Sequence, residues 1–270
     1  MEDVASEIAS FQGDAVLSSE DFESILSAPS RFAPLLEHRL LRRHTFTILF
    51  WVREQASYFE SLFFEMLHHR LADDPAQLCK SVIDRGELRH EDWTFHFDYD
   101  RLVAGLMSLP AHVAVRAYSR LTDGSVISDF LTFAGFASDP QSKNLTRKNV
   151  RPTLAKSFSL FCRQRLSEPQ AARILKPEIM AGLFEGYAAH LSTRLRTALK
   201  DRFQEGNQRL AYDCGFAPER LTIPAVAPEG GLPLEEVYST ETLRLIRNNE
   251  KAADLKAALT IAVKALSQNT

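Results

Sequence analysis

In "ILFWVREQASYFESLFFEML", Ile48 to Leu67, an apolar run of strand length ends on Arg53, and serines and further aromatics follow at helical spacing. A guanidinium placed where a strand hands over to a helix can grip a phosphate with two parallel N–H bonds. The helix start adds N–H donors and a favourable dipole. The alternative is a solvated arginine at the helix start beside its neighbour Glu54. A second stretch, "SKNLTRKNVRPTLAKSFSLFCRQRL" from Ser142 to Leu166, carries seven cations and no acid. Within it Lys156 and Arg163 lie nearly opposite the Leu154, Phe158, Phe161 and Cys162 face of an expected helix, so solvent accounts for them. Glu20, in "SSE", fits the first turn of a helix capped by Ser18 or Ser19, where an acid favours the dipole.

Other chemistry is thinly represented. There is no GxSxG elbow, HExxH pair, dinucleotide fingerprint or GxxxxGK[ST] loop anywhere in the chain. Two Glu-x-x-His pairs, Glu65/His68 and Glu87/His90, could face one way on a helix and bind a metal. With 35 acids and 8 histidines, chance pairs are expected, and no metal is assigned. His96, Asp98 and Asp100 could gather around a cation if extended, but a polar edge explains them at less cost. Cys79, Cys162 and Cys214 are far apart and odd in number, which offers neither a disulfide framework nor a Cys-x-x-Cys knuckle. Cys79 and Cys162 read as structural thiols, and Trp51 and Trp93 as core aromatics.

The elements that must position these residues follow from periodicity. Three short apolar runs predict strands: "DAVLSS" from Asp14, "TFTILFWV" from Thr45 and "HVAVRAY" from His112. A helical pattern succeeds each one: "EDFESIL", then Glu54 to Leu71, then "SVISDFLTFAGF" from Ser125. Such alternation predicts the α/β class, a mainly parallel sheet flanked by helices, with a helix-rich second half. In "WTFHFDYD" a period of two predicts a strand stopping near Phe97, followed by a helix that Pro110 ends. Pro152 suits the first turn of a helix to about Arg165. A further helix is expected over roughly Pro177 to Phe203, with Ile179, Met180, Leu183, Tyr187, Leu191, Leu195 and Leu199 on its buried side. Residues 215–234, with four prolines and three glycines, predict an irregular arm. A helical tail striped by Leu255, Leu259, Val263 and Leu266 follows.

At 270 residues and 45% hydrophobic, the chain can bury a substantial core. No apolar run approaches the roughly 20 residues of a membrane helix, so no membrane partner is expected. The acidic amino terminus is unlike a secretion signal, and with the cysteine pattern it suggests a cytoplasmic protein. The net charge of −3 conceals segregation: −10 over residues 1–139, +9 over 140–210 and −2 over 211–270. Either the middle third meets an anion, or the acidic half neutralises it internally.

"VLSSEDFESIL", "ILFWVREQASYFESLFFEML", "FDYDRLVAGLM", "SVISDFLTFAGF" and "RFQEGNQRLAYDCGF" stand in an order that resembles the sulfotransferase superfamily, in particular bacterial sulfotransferase-like proteins. The resemblance covers about residues 10–216. It implies a P-loop-related fold and transfer of a sulfuryl group from 3′-phosphoadenosine 5′-phosphosulfate to an acceptor hydroxyl or amine. It also implies that Arg53 and Ser61, eight residues apart, grip the 3′-phosphate of that co-substrate. Two residues eight apart on one helix lie about 12 Å from each other, so Arg53 must precede the helix and reach along it. Glu20 falls at the family's catalytic base, and Arg147 and Lys148 look similar to its basic nucleotide-closing loop, with Asn149 where the cytosolic branch has glycine.

The departure lies at the front, where the family places a strand and a glycine-rich, lysine-bearing loop around the 5′-phosphosulfate. "MEDVASEIASFQG" holds no lysine, which suggests a truncated start or a decayed activity. The expected organisation is a sulfotransferase-like domain over 1–216, a Pro/Gly-rich arm over 217–238 and a helical tail over 239–270. Two other readings stand beside it: a non-catalytic protein–protein interaction protein on the same scaffold, and a binder of nucleic-acid backbone using the basic 140–210 region.

Overall fold

Continuous apolar runs rich in β-branched and aromatic residues form the two longest strands, β1 (Thr47–Val52) and β4 (His112–Ala117). They pair in parallel, Thr47 with His112 through to Val52 with Ala117. Between them in sequence run helices α2 (Gln55–His68), α3 (Pro75–Arg85) and α4 (Tyr99–Leu106) and an antiparallel hairpin, β2 (Glu87–His90) and β3 (Trp93–His96). A computed structural model of the chain describes residues 2–18, 26, 28–70, 73–118, 126–136, 153–249 and 251–268. The longer helices among the other described residues are α1 (Glu2–Ser10), α5 (Val126–Phe133), α6 (Leu154–Arg165), α7 (Glu168–Ile174), α8 (Thr193–Cys214), α9 (Thr240–Asn248) and α10 (Ala252–Gln268). A third strand pair, β5 (Ala188–His190) with β6 (Gly231–Pro233), is also parallel. The class is α/β, with small parallel sheets and a predominance of helix.

The chain divides into two compact units. One comprises Met1–Val52, Lys80–Ala117 and Asp201–Thr222. In it Leu102, Leu106 and Leu109 pack with Phe32, Leu36, Ile48, Phe50 and Val113, so α4 covers the β1–β4 pair. Asp98 caps α4 by accepting from Arg101 N, and it also pairs with Arg202 at 2.9 Å. Gly86, at φ +76, makes the turn into the hairpin, and its carbonyl accepts from both Phe97 N and Asp98 N.

The other unit comprises Arg53–Cys79, Tyr118–Lys200 and Ile223–Thr270. Its core is aromatic: the Tyr238 ring lies 5.1 Å from Phe63 and 5.3 Å from Phe161, centroid to centroid. The Tyr238 hydroxyl reaches Ser157 Oγ at 2.7 Å, which satisfies both polar groups inside an apolar shell. Of the tail stripe, Leu255, Leu259 and Val263 are buried on α10, and Leu266 is half-buried.

Three expectations are corrected. Asp14–Ser18, the described part of the first expected strand, is irregular and exposed, because Val16 and Leu17 find no core to enter. The helix expected from Pro177 to Phe203 breaks after a short turn at Pro177–Met180. Gly182 and Gly186 adopt φ +71 and +78 there, β5 follows, and α8 begins only at Thr193. Trp93 is 41% exposed rather than a core aromatic; it stacks on Phe95 along the hairpin, centroids 6.1 Å apart. Elsewhere the strand ending near Phe97 and the helix reaching Arg165 stand where their periods put them. No helix among the described residues is long and apolar enough to cross a membrane.

Candidate functional site

β1 ends at Val52 and α2 begins at Gln55, so Arg53 occupies the handover and points along the helix. Its Nη1 donates to Ser61 Oγ at 2.7 Å. Because Val52 pairs with Ala117, the residues that follow the two strands are Arg53 and Tyr118. The Arg53 guanidinium lies 5.5 Å from the centroid of the Tyr118 ring, close enough for attraction to the π face. Arg53 is partly exposed and Ser61 and Tyr118 are exposed, so a cation, a hydroxyl and an aromatic ring stand together at the surface. Spacing alone does not mark Tyr118; the signal for it is the position one residue beyond an apolar strand that runs parallel to β1.

The helix start itself differs from the expectation. Glu54 is the N-cap of α2, and its carboxylate accepts from Ala56 N at 2.9 Å and from Ser57 N at 2.8 Å. Those two donors are therefore engaged by the protein's own carboxylate. Glu20, Arg147 and Lys148 lie outside the described residues.

One turn into α2 stands a residue that the sequence did not mark as important. Glu60 is 4% exposed. Its Oε1 accepts from Leu191 N at 3.0 Å and ion-pairs with Arg196, while Oε2 meets His190 Nδ1 at 3.0 Å. Arg196 Nε donates onward to the Leu191 carbonyl at 3.1 Å. A buried carboxylate is tolerated only with such partners. The cluster ties the inward face of α2 to the segment leading into α8, and Ser61, its neighbour in sequence, is left facing outward. The sequence signal was an acid between Phe59 and Leu62, on the apolar face of a helix.

The remaining candidates are accounted for locally. Glu87 and His90 sit on strand β2, not on a helix, and their spacing of three places them on opposite faces. Glu65 pairs with His69 at 3.1 Å rather than acting with His68. Asp98 and Asp100 pair with Arg202 and Arg209, and burial pushes His96 below its ordinary value, so these three do not gather around a cation. Among the described residues no group of His, Cys, Asp or Glu is arranged to hold a metal. Burial pushes the thiols of Cys79 and Cys162 up to about 12, which keeps them protonated and inert. Of the basic middle third, Arg165, Arg196, Arg202 and Arg209 are ion-paired with Asp73, Glu60, Asp98 and Asp100. The geometry thus brings Arg53, Ser61 and Tyr118 together. No protein-family model, curated protein or solved structure matches the chain.

Proposed function

We propose that this chain is a sulfotransferase-like protein that uses Arg53 and Ser61 to hold the 3′-phosphate of 3′-phosphoadenosine 5′-phosphosulfate. The observation that carries this reading is the 2.7 Å bond from Arg53 Nη1 to Ser61 Oγ at the carboxyl end of a parallel strand. A serine hydroxyl has one proton and two lone pairs. Accepting from Arg53 uses a lone pair, so the Ser61 proton can be given to a phosphate oxygen that the guanidinium also meets. The Tyr118 ring steadies the guanidinium from the side. In this reading Glu20 takes the proton of the acceptor hydroxyl or amine, and Arg147 and Lys148 close over the nucleotide.

The test is calorimetric titration with adenosine 3′,5′-bisphosphate, with adenosine 5′-monophosphate as control. A charge-assisted phosphate contact is worth about 1.5–3 kcal/mol, so Arg53→Ala is expected to weaken the bisphosphate about 10- to 100-fold. The monophosphate, which lacks the 3′ group, should bind both proteins alike. An unmutated chain that takes up neither ligand, or that does not distinguish them, removes the nucleotide reading.

A non-catalytic interaction protein on the same scaffold is the rival reading. The Glu54 carboxylate at the start of α2, where an anion would otherwise draw on the helix N–H groups, favours it. The nucleic-acid reading is weakened by the four paired arginines of the basic region, which are less available to phosphates.

A further inference from the structure

We propose that the outward face of α10 is a self-association surface whose occupant is a second copy of this chain, packed antiparallel across a two-fold axis. α10 buries Leu255, Leu259 and Val263 and turns Ala253, Asp254, Ala257, Ile261, Lys264 and Ala265 outward. A helix face that meets only water is usually dominated by charged and polar residues. This one carries a single acid, a single base, three alanines and an isoleucine that is 68% exposed. Beside it lies an open groove of about 670 Å³, with Ile179, Ala253, Ala257 and Ile261 in its walls. Lys256 Nζ donates to the Glu178 carbonyl at 2.6 Å, which holds the far wall of that groove against α10.

The charges identify the occupant. Asp254 and Lys264 stand towards opposite ends of the face, and neither has an ion-pair partner among the described residues. Both are five residues from Leu259. A two-fold axis at that level therefore brings each Asp254 level with Lys264 of the second copy, within a lysine's reach across the seam, and does so twice. The same operation sets Ile261 level with Ala257 of the second copy, and Ala253 level with Ala265. Each large side chain then meets a small one, which allows close helix approach. A parallel arrangement would instead set like charges together. One helix face buries less than the roughly 800 Å² per partner of a stable interface, so a reversible, weak dimer is expected. This inference does not depend on the nucleotide reading.

Sedimentation of the full chain from about 10 µM to about 1 mM tests it, with a dissociation constant on the order of 100 µM expected. Lys264→Asp should raise that constant about tenfold or more by opposing two acids. The double substitution Asp254→Lys with Lys264→Asp should restore it to within about threefold. Mixing the Lys264→Asp chain with the Asp254→Lys chain should give heterodimers although neither associates well alone. A chain that stays monomeric throughout the range, a Lys264→Asp chain that associates unchanged, or a double swap that fails to restore association each overturns the proposal.

Discussion

Replacing Glu60 with alanine deletes the acceptor of Leu191 N and the counter-charge of Arg196 in one step. Arg196 is 3% exposed and retains only its bond to the Leu191 carbonyl among the described residues. Breaking a buried pair by removing one partner costs about 3–5 kcal/mol, because the remaining charge is left uncompensated. Against a total stability of about 5–15 kcal/mol this is a large fraction. With a urea slope of about 2–3 kcal/mol/M, the unfolding midpoint should fall by about 1–2 M. Glu60→Gln keeps an oxygen for Leu191 N but loses the charge, and should fall between the two. Glu60→Leu combined with Arg196→Met removes both charges together and should recover much of the loss. Equilibrium urea unfolding followed by circular dichroism measures all of these. A loss below about 1 kcal/mol for Glu60→Ala would mean that the carboxylate is hydrated, since exposed pairs are worth no more than that. The packing of α2 against residues 190–196 would then be wrong.

Gly86→Ala should destabilise by about 1–3 kcal/mol, since a Cβ there would stand 2.8 Å from Asp98 Cβ at a φ of +76; thermal unfolding that does not change would contradict the hairpin turn. Burial, and then the neighbouring Glu235, raises the Glu236 carboxyl above the ordinary value of 4.5, with Arg194 opposing. Its folded pKa therefore exceeds its unfolded one, and stability present below 4.5 is lost as pH rises through the folded value. Glu236→Gln should match the unmutated protein at pH values below that window and exceed it in stability above; a constant difference across pH would refute the assignment.

How far the letters reach depends on which interaction decides each element. β1 and β4 were legible because Ile48, Leu49, Phe50 and Val113, Ala114, Val115 form continuous apolar runs that only a covered strand needs. The same reasoning misplaced Asp14–Ser18, since apolar content alone does not supply a pairing edge. Between Pro177 and Phe203 the apolar positions kept a helical period, and the buried set was largely correct. Gly182 and Gly186 nonetheless turn the chain, and Ile179, Leu183 and Leu191 are buried from separate segments. The link from Arg53 to Ser61 followed from a resemblance, not from helical geometry. Its neighbours Glu54 and Tyr118 depend on a cap and on strand register, which only coordinates display. Spacing does not mark Glu60, because its partners, His190 and Arg196, are remote in the chain.

The parallel pairing of Thr47–Val52 with His112–Ala117 also governs when the protein can fold. A nascent polypeptide that has emerged only as far as the hairpin has half of its longest ladder and no mate for it. Closing so long a loop costs entropy before any contact repays it, so this ladder should form more slowly than the local helices. Until residue 117 has left the ribosome, the apolar Ile48-to-Val52 edge stands open to chaperones and to aggregation.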